Sequence, residues 1–293
     1  MGKIFKALEK SEQANDTNPV YDFHAESGET KGGPSKVSTD RPFAEKKSKI
    51  NNHAAFSGST PLNANAGRNL VSVKKPHSIE AEQFRLLKNN LLFPETGYPP
   101  RTIMVTSTCQ GEGKSFVAAN LAVAIASSID EYVLLVDCDL RHPSVHSMFD
   151  LENNEGLTTY LTQGVPLSRV LVKTFLPKLT VLPGGTPPAN PSELVSSEQM
   201  RRLIREAKTR YDDRYVILDA PPPYITSETN ALAKHVDGIL LVVKHGLTRK
   251  DRIKDIIDIY GKEKIIGVVK NFAKGRFGLG YGYKYKYGYS MKG

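Results

Sequence analysis

The amino-acid sequence predicts an α/β domain, a mostly parallel sheet flanked by helices on both faces. Three observations carry that reading. Short apolar runs at 102–106, 132–136, 179–182, 215–218, 238–243 and 265–269 alternate with segments of helical pattern, notably 114–128, 196–211 and 248–260. The runs are continuously apolar, as strands covered on both faces are. A glycine-containing loop follows the first run and opens into an Ala-rich helix, and Asp residues close two further runs.

Taken in order, residues 1–74 are rich in Ser, Asn, Lys, Glu and Gly and show no sustained period. Such a segment buries too little surface to offset its ordering entropy and is expected to be disordered. Within it, Ile4, Phe5 and Leu8 share one helical face, either a frayed turn or a docking peptide for a partner. From Ser78 the pattern becomes helical, with Ile79, Phe84, Leu87, Leu91 and Leu92 apolar and Glu82, Arg85 and Lys88 interleaved. The strand and helix signals then run to about residue 273, one domain spanning 75–273. Thr248, with Asp251 three residues on, reads as a weak capping box for the helix after the sixth apolar run's predecessor, 238–243.

The 293 residues, 39% of them hydrophobic, suffice for one such domain with unfolded flanks. No apolar run reaches the roughly 18 residues that a membrane span needs. The start, Met-Gly-Lys-Ile-Phe-Lys, lacks a secretory signal's apolar core, and Phe5-Lys6 do not suit myristoylation of Gly2. Cys109 and Cys138 have neither disulfide nor zinc spacing and read as reduced thiols of a cytoplasmic protein. Of the formal charge of +9, five positive side chains fall after Phe272, where no acidic residue occurs. That last stretch, 274–293, carries Tyr281, Tyr283, Tyr285, Tyr287 and Tyr289 interleaved with Gly and Lys. It reads as a flexible, basic tail presenting phenolic hydroxyls. Stacking of the tail on single-stranded nucleic acid is an alternative.

The loop reads Ser107-Thr-Cys-Gln110-Gly111-Glu112-Gly113-Lys114-Ser115-Phe116 between a strand and a helix. Its glycines let backbone N–H groups turn onto phosphate oxygens, and the helix N-terminus adds its dipole. Lys114 reaches the β/γ-phosphates and Ser115 can ligate Mg²⁺. The fold is therefore P-loop NTPase-like. Thr108 stands where the motif's first glycine is usual. Strand 132–136 ends in Asp137-Cys-Asp139-Leu-Arg141-His-Pro143, and strand 215–218 ends in Asp219-Ala-Pro-Pro-Pro223. Carboxylates at strand carboxyl ends point into the crevice where open α/β sheets bind ligands. Beside a phosphate loop they suit Mg²⁺ ligation and acceptance of a proton from an attacking hydroxyl.

These three motifs together resemble the Walker A, A′ and B motifs of the bacterial tyrosine kinases (BY-kinases) of polysaccharide export. Gly185-Thr-Pro-Pro-Ala-Asn-Pro-Ser-Glu-Leu194 and the terminal tyrosine cluster are similar to further stretches of that family, so the resemblance spans 78–290. It implies an ATP- and Mg²⁺-dependent protein-tyrosine autokinase. Lys114, Asp137, Asp139 and Asp219 would be catalytic. Residues 110–116 and Asn271 would bind nucleotide, and Ser115, Asp137 and Asp219 would hold the metal. Whether Asp137 or Asp139 accepts the phenolic proton is open. The five tail tyrosines would be the phosphorylation sites. Glu82-x-x-Arg85-x-x-Lys88 resembles the family's oligomerisation motif Glu-x-x-Arg-x-x-Arg, except that Lys88 lacks the planar fork with which Arg makes a bidentate pair. Gln110 replaces a common Pro.

The resemblance further implies self-association, a separate membrane-spanning polysaccharide co-polymerase-type activator and a tyrosine phosphatase as counter-enzyme. It places the protein in the cytoplasm, recruited to the inner face of the cell membrane, and nucleic acid is not expected as a partner. The rival class is a Min/Par-like positioning or partitioning ATPase. Those proteins carry a signature lysine where Cys109 stands here.

Overall fold

The computed structural model describes residues 69–273, apart from 96, 210–213 and 225–226. The tail tyrosines and the first ten residues lie outside these. Seven strands form one sheet in the order β3-β4-β2-β5-β1-β6-β7. They are β1 (Thr102–Ser107), β2 (Tyr132–Asp137), β3 (Val172–Lys173), β4 (Leu179–Leu182), β5 (Arg214–Asp219), β6 (Gly238–Lys244) and β7 (Ile265–Asn271). All neighbours run parallel except β3, which pairs antiparallel with β4. The six apolar runs are β1, β2, β4, β5, β6 and β7; two-residue β3 has no run to announce it.

Alternation along the strands feeds two apolar layers. Ile103 and Val105 of β1 face one layer and Met104 the other. The first layer is filled by helix α1 (Ile79–Leu92) and helix α2 (Lys114–Ala126). Helix α2 is rich in Ala and Val and has 12 of its 13 residues buried, because the sheet covers one side and α1 the other. Helix α3 (Glu198–Thr209) closes the second layer through Met200, Leu203, Ile204 and Ala207. Helix α4 (Lys250–Tyr260) packs Ile256 against Leu241 and Val243 of β6.

Ser78 caps α1, its hydroxyl accepting from Ala81 N–H at 3.1 Å. The expected capping box at Thr248 does not form. Arg249 is the N-cap residue of α4 and makes no side-chain cap bond. The Thr248 hydroxyl instead accepts from Lys244 N–H at 2.8 Å and donates to Glu112. Residues 69–74, assigned by sequence to the disordered segment, belong to the fold. Leu70 is fully buried and Val71–Lys74 form a helical turn. The cause is Asn120, buried within α2. Its Oδ1 accepts from Val71 N–H at 2.8 Å, and its Nδ2 donates to Asn69 O at 2.9 Å and to Phe116 O at 2.9 Å.

Candidate active site

The crevice lies at the carboxyl ends of β1, β2 and β5. Central β1 runs into the loop that starts α2, and Gly113 is the N-cap in the left-handed region (φ 88°). A Cβ at Gly113 would fall 2.1 Å from Asn271 Nδ2, so a side chain there would push that amide off the loop. That amide donates to Glu112 O at 3.0 Å, so the end of β7 rests on the loop.

Glu112 is the loop's internal brace. Its side chain is buried and accepts from Thr108 N–H at 2.7 Å, from Cys109 N–H at 2.9 Å and from the Thr108 hydroxyl at 2.9 Å, besides Thr248. The loop is thus tied both to itself and to the end of β6. Thr248→Val would leave Lys244 N–H and one Glu112 oxygen each short of a partner. It is expected to cost about 1–3 kcal/mol. Urea unfolding checks this, and an unchanged midpoint would show that the bridge is not made.

Lys114 projects into a cage of carboxylates. Its Nζ lies 2.8 Å from Asp139 Oδ2 and 3.6 Å from Asp219 Oδ1, with Ser115 Oγ at 3.3 Å. Burial pulls the ammonium's pKa down, but Asp219 and Asp139 outweigh it and hold Lys114 above its ordinary range. Asp137 and Asp219 are register partners on β2 and β5. Asp137 Oδ2 accepts from Ser144 N–H at 2.8 Å and Val145 N–H at 3.0 Å, and Oδ1 from Asp139 N–H at 3.2 Å. Burial, then the charge of Asp219, pushes Asp137 up to about 7. Burial likewise raises Asp219. Cys138, between the two acids, has its thiol raised by burial and then by Asp137, so it is not a ready nucleophile.

Three carboxylates against one ammonium leave this dry crevice short of positive charge. Both Asp219 oxygens are buried without a hydrogen-bond partner among the described residues. A cation beside Asp219 answers both deficits, so the donor set fits Mg²⁺. Among the described residues no group of three or more His, Cys, Asp or Glu could hold a metal unaided. Mg²⁺ characteristically needs only one or two carboxylates when a substrate supplies phosphate oxygens.

Lys114, Ser115, Asp137, Asp139 and Asp219 therefore come together, with Glu112, Gly113 and Asn271 bracing the loop. Gln110 and Gly111 are exposed on its outer turn. The Phe116 ring turns away and packs edge-on against Phe84 of α1, with centroids 5.9 Å apart. Glu82 and Arg85 lie on α1, apart from this cluster, and pair with each other at 2.6 Å, while Lys88 donates to Ser128 Oγ at 3.2 Å. One set of contacts escaped the sequence reading. Arg141 Nε donates to buried Glu228 at 3.0 Å and its Nη2 to Ser192 Oγ at 3.1 Å. It joins the loop after β2 to the short helices Pro191–Val195 and Glu228–Ala233. Only the Arg of the Asp-x-Asp-x-Arg motif signalled it; its partners are 51 and 87 residues away.

Sheet order, phosphate loop and strand-end acids define a P-loop NTPase domain of the ParA type. A family model described as "ParA: NUBPL iron-transfer P-loop NTPase" matches residues 100–277. Nearer relatives narrow this. Tyrosine-protein kinase YwqD of Bacillus subtilis (strain 168) is 37% identical over 209 residues, covering 71% of this chain and 87% of the relative. Two solved structures agree. The chimerical protein CapA2B2 has a TM-score of 0.64 and 32% identity, covering 70% of this chain and 91% of that one. The kinase domain of the Escherichia coli tyrosine kinase ETK has a TM-score of 0.63 and 30% identity, covering 72% and 84%. The chain belongs to the bacterial tyrosine-protein kinases.

Proposed function

We propose that this protein transfers the γ-phosphoryl group of ATP to tyrosines of its own 274–293 tail. The observation that carries the reading is Lys114 between Asp139 and Asp219 at the mouth of a braced phosphate loop. The loop amides and Lys114 bind and orient the triphosphate. Asn271, resting on Glu112 at 3.0 Å, marks the base side. Ser115, Asp137 and Asp219 would hold Mg²⁺, which supplies charge neutralisation at the phosphates when bound. A tyrosine oxygen attacks the γ-phosphorus, the bond to the β–γ bridging oxygen breaks, and ADP leaves.

The phenolic proton passes to Asp139. Asp137 has both oxygens engaged by the amides of Ser144, Val145 and Asp139. Asp139 Oδ2, by contrast, is held by Lys114 and is released when that ammonium turns to the phosphates. Self-association through Glu82, Arg85 and Lys88 fits the exposure of that face of α1, where Glu82 and Arg85 are about half exposed. Among the described residues no helix is long and apolar enough to cross a membrane. The resemblance to the tyrosine kinases of polysaccharide export supports a separate membrane-spanning activator, and with it a place at the inner face of the membrane and control of exopolysaccharide polymerisation or export. Phosphorylation of five tyrosines would add about −8 to −10 charge, reversing the tail's sign and calling for a tyrosine phosphatase to reset it.

A phosphotyrosine blot of purified protein given ATP and Mg²⁺ tests the activity. A partitioning ATPase would hydrolyse ATP without labelling. Mixing the Lys114→Met chain with an active chain ending at residue 273 tests direction. Label on the inactive chain's tail is the expected result, and its absence would mean transfer within one chain.

A further inference from the structure

The two edges of the sheet are unlike. Edge strand β3 has two residues, the usual way of blunting an edge. Strand β7 has seven, pairs with β6 on one side and has no strand on the other among the described residues. It is the one long strand without a buried residue, and Val268 is 50% exposed. Asn271 O accepts from His245 N–H on the β6 side at 2.9 Å. Alternate residues Val268 and Lys270 therefore turn their N–H and C=O groups to the open edge.

The chain leaves β7 through Phe272, which adopts φ 56°, the left-handed region that a bulky residue seldom enters. Its N–H donates to Asn271 Oδ1 at 2.9 Å. A left-handed residue here reverses the chain, as in short β-loops. Beyond it the sequence alternates strictly. Every odd position from Phe277 to Tyr289 is Phe, Leu or Tyr, and the even positions from Gly278 to Ser290 are Gly, Lys or Ser. That is the period of a strand with one apolar face.

We infer that the chain's own segment 277–283 docks on β7 as an antiparallel eighth strand. Residues 272–276 form a five-residue loop, within the hairpin range. This pairs Asn271 with Phe277, Val269 with Leu279 and Gly267 with Tyr281, and brings Tyr283 to the point where the register of β7 against β6 shifts, between Gly267 and Ile265. The outward groups of Val268 and Lys270 then meet those of Gly280 and Gly278. Tyr281 lies across Gly267, the pairing in which an aromatic covers a strand glycine.

Direction gives the docking its function, and this part rests on the kinase reading above. An antiparallel tail runs from the carboxyl end of β7 to its amino end, about 23 Å for seven residues. Tyr285, Tyr287 and Tyr289 then project from the edge of the sheet opposite the chain's own phosphate loop. They are placed for another copy's site, while Tyr281 and Tyr283 are held against the sheet.

Hydrogen exchange tests docking without any nucleotide. In the full chain, the Val268 and Lys270 amides should exchange at least ~10-fold more slowly than in the full-length Gly278→Pro/Gly280→Pro variant, which loses the two N–H groups facing β7 and keeps every tyrosine. The difference should not depend on protein concentration. Equal exchange in the two proteins, or slowing that vanishes on dilution, would overturn docking by the chain's own tail. Tail labelling is read separately by mass spectrometry. Tyr285, Tyr287 and Tyr289 should be modified before Tyr281 and Tyr283, and the order should be lost in the proline variant. If exchange is slowed and no tyrosine is labelled, the kinase reading fails and the docking stands.

Discussion

Lys114→Met is expected to lower tail phosphorylation by about 10²–10³-fold while the chain still folds, the usual effect of losing one group that stabilises a transition state's charge. Lys114 is the one cation within reach of both Asp139 and Asp219 among the described residues, so no neighbour replaces it. Its removal also leaves three carboxylates facing one another without a counter-charge. The initial rate of phosphotyrosine formation at saturating ATP is the measurement. A near wild-type rate would mean that the site has been misplaced.

Asp219→Asn is expected to separate stability from activity. Burial holds both Asp219 and Asp137 above the ordinary carboxylate range, and Asp219 adds to the shift at Asp137. A raised native pKa means that the folded protein binds more protons than the unfolded chain. That difference operates between the unfolded carboxylate value of about 4 and the value near 7 that Asp137 reaches. Across this window the two acids lower stability as pH rises. The nucleotide-free protein should therefore melt at a higher temperature at pH 6 than at pH 8. An amide at position 219 keeps the shape and removes a buried charge while Lys114 keeps Asp139 at 2.8 Å as its partner, for a gain on the order of 1–3 kcal/mol at pH 8. The same change should abolish transfer. Thermal unfolding between pH 5 and 8 decides it: an Asn variant less stable than wild type at pH 8 would sink the account.

Much of this was legible in the residues alone. Six strands announced themselves as apolar runs, and the phosphate loop and its three Asp partners could be placed because each sits at a strand's end. What stayed hidden depends on contacts distant in sequence. Thr248 reads as a helix cap until the fold brings Glu112, 136 residues away, to its hydroxyl. Leu70 sits in a polar stretch that looks unfolded, and its burial follows from an Asn in the middle of a later helix. The Arg141–Glu228 pair joins a loop and a short helix that only the sheet's strand order makes neighbours. Two-residue β3 lacks the length to show a period.

The strand order has a consequence for how the chain comes together. Central β1 borders β5 and β6, and Thr102 pairs with Val216, which follows it by more than a hundred residues. During synthesis β1 must wait for both partners, because every sheet contact it makes is with a later strand. Helices α1 and α2 are already complete by then and can cover each other. Asn271, in the last described strand, sets its amide against Gly113 only after β6 has joined β1. Assembly thus works as a completeness check, in which a partly made chain owns a phosphate loop and its Glu112 but lacks Thr248 and Asn271, which tie that loop to the rest of the fold.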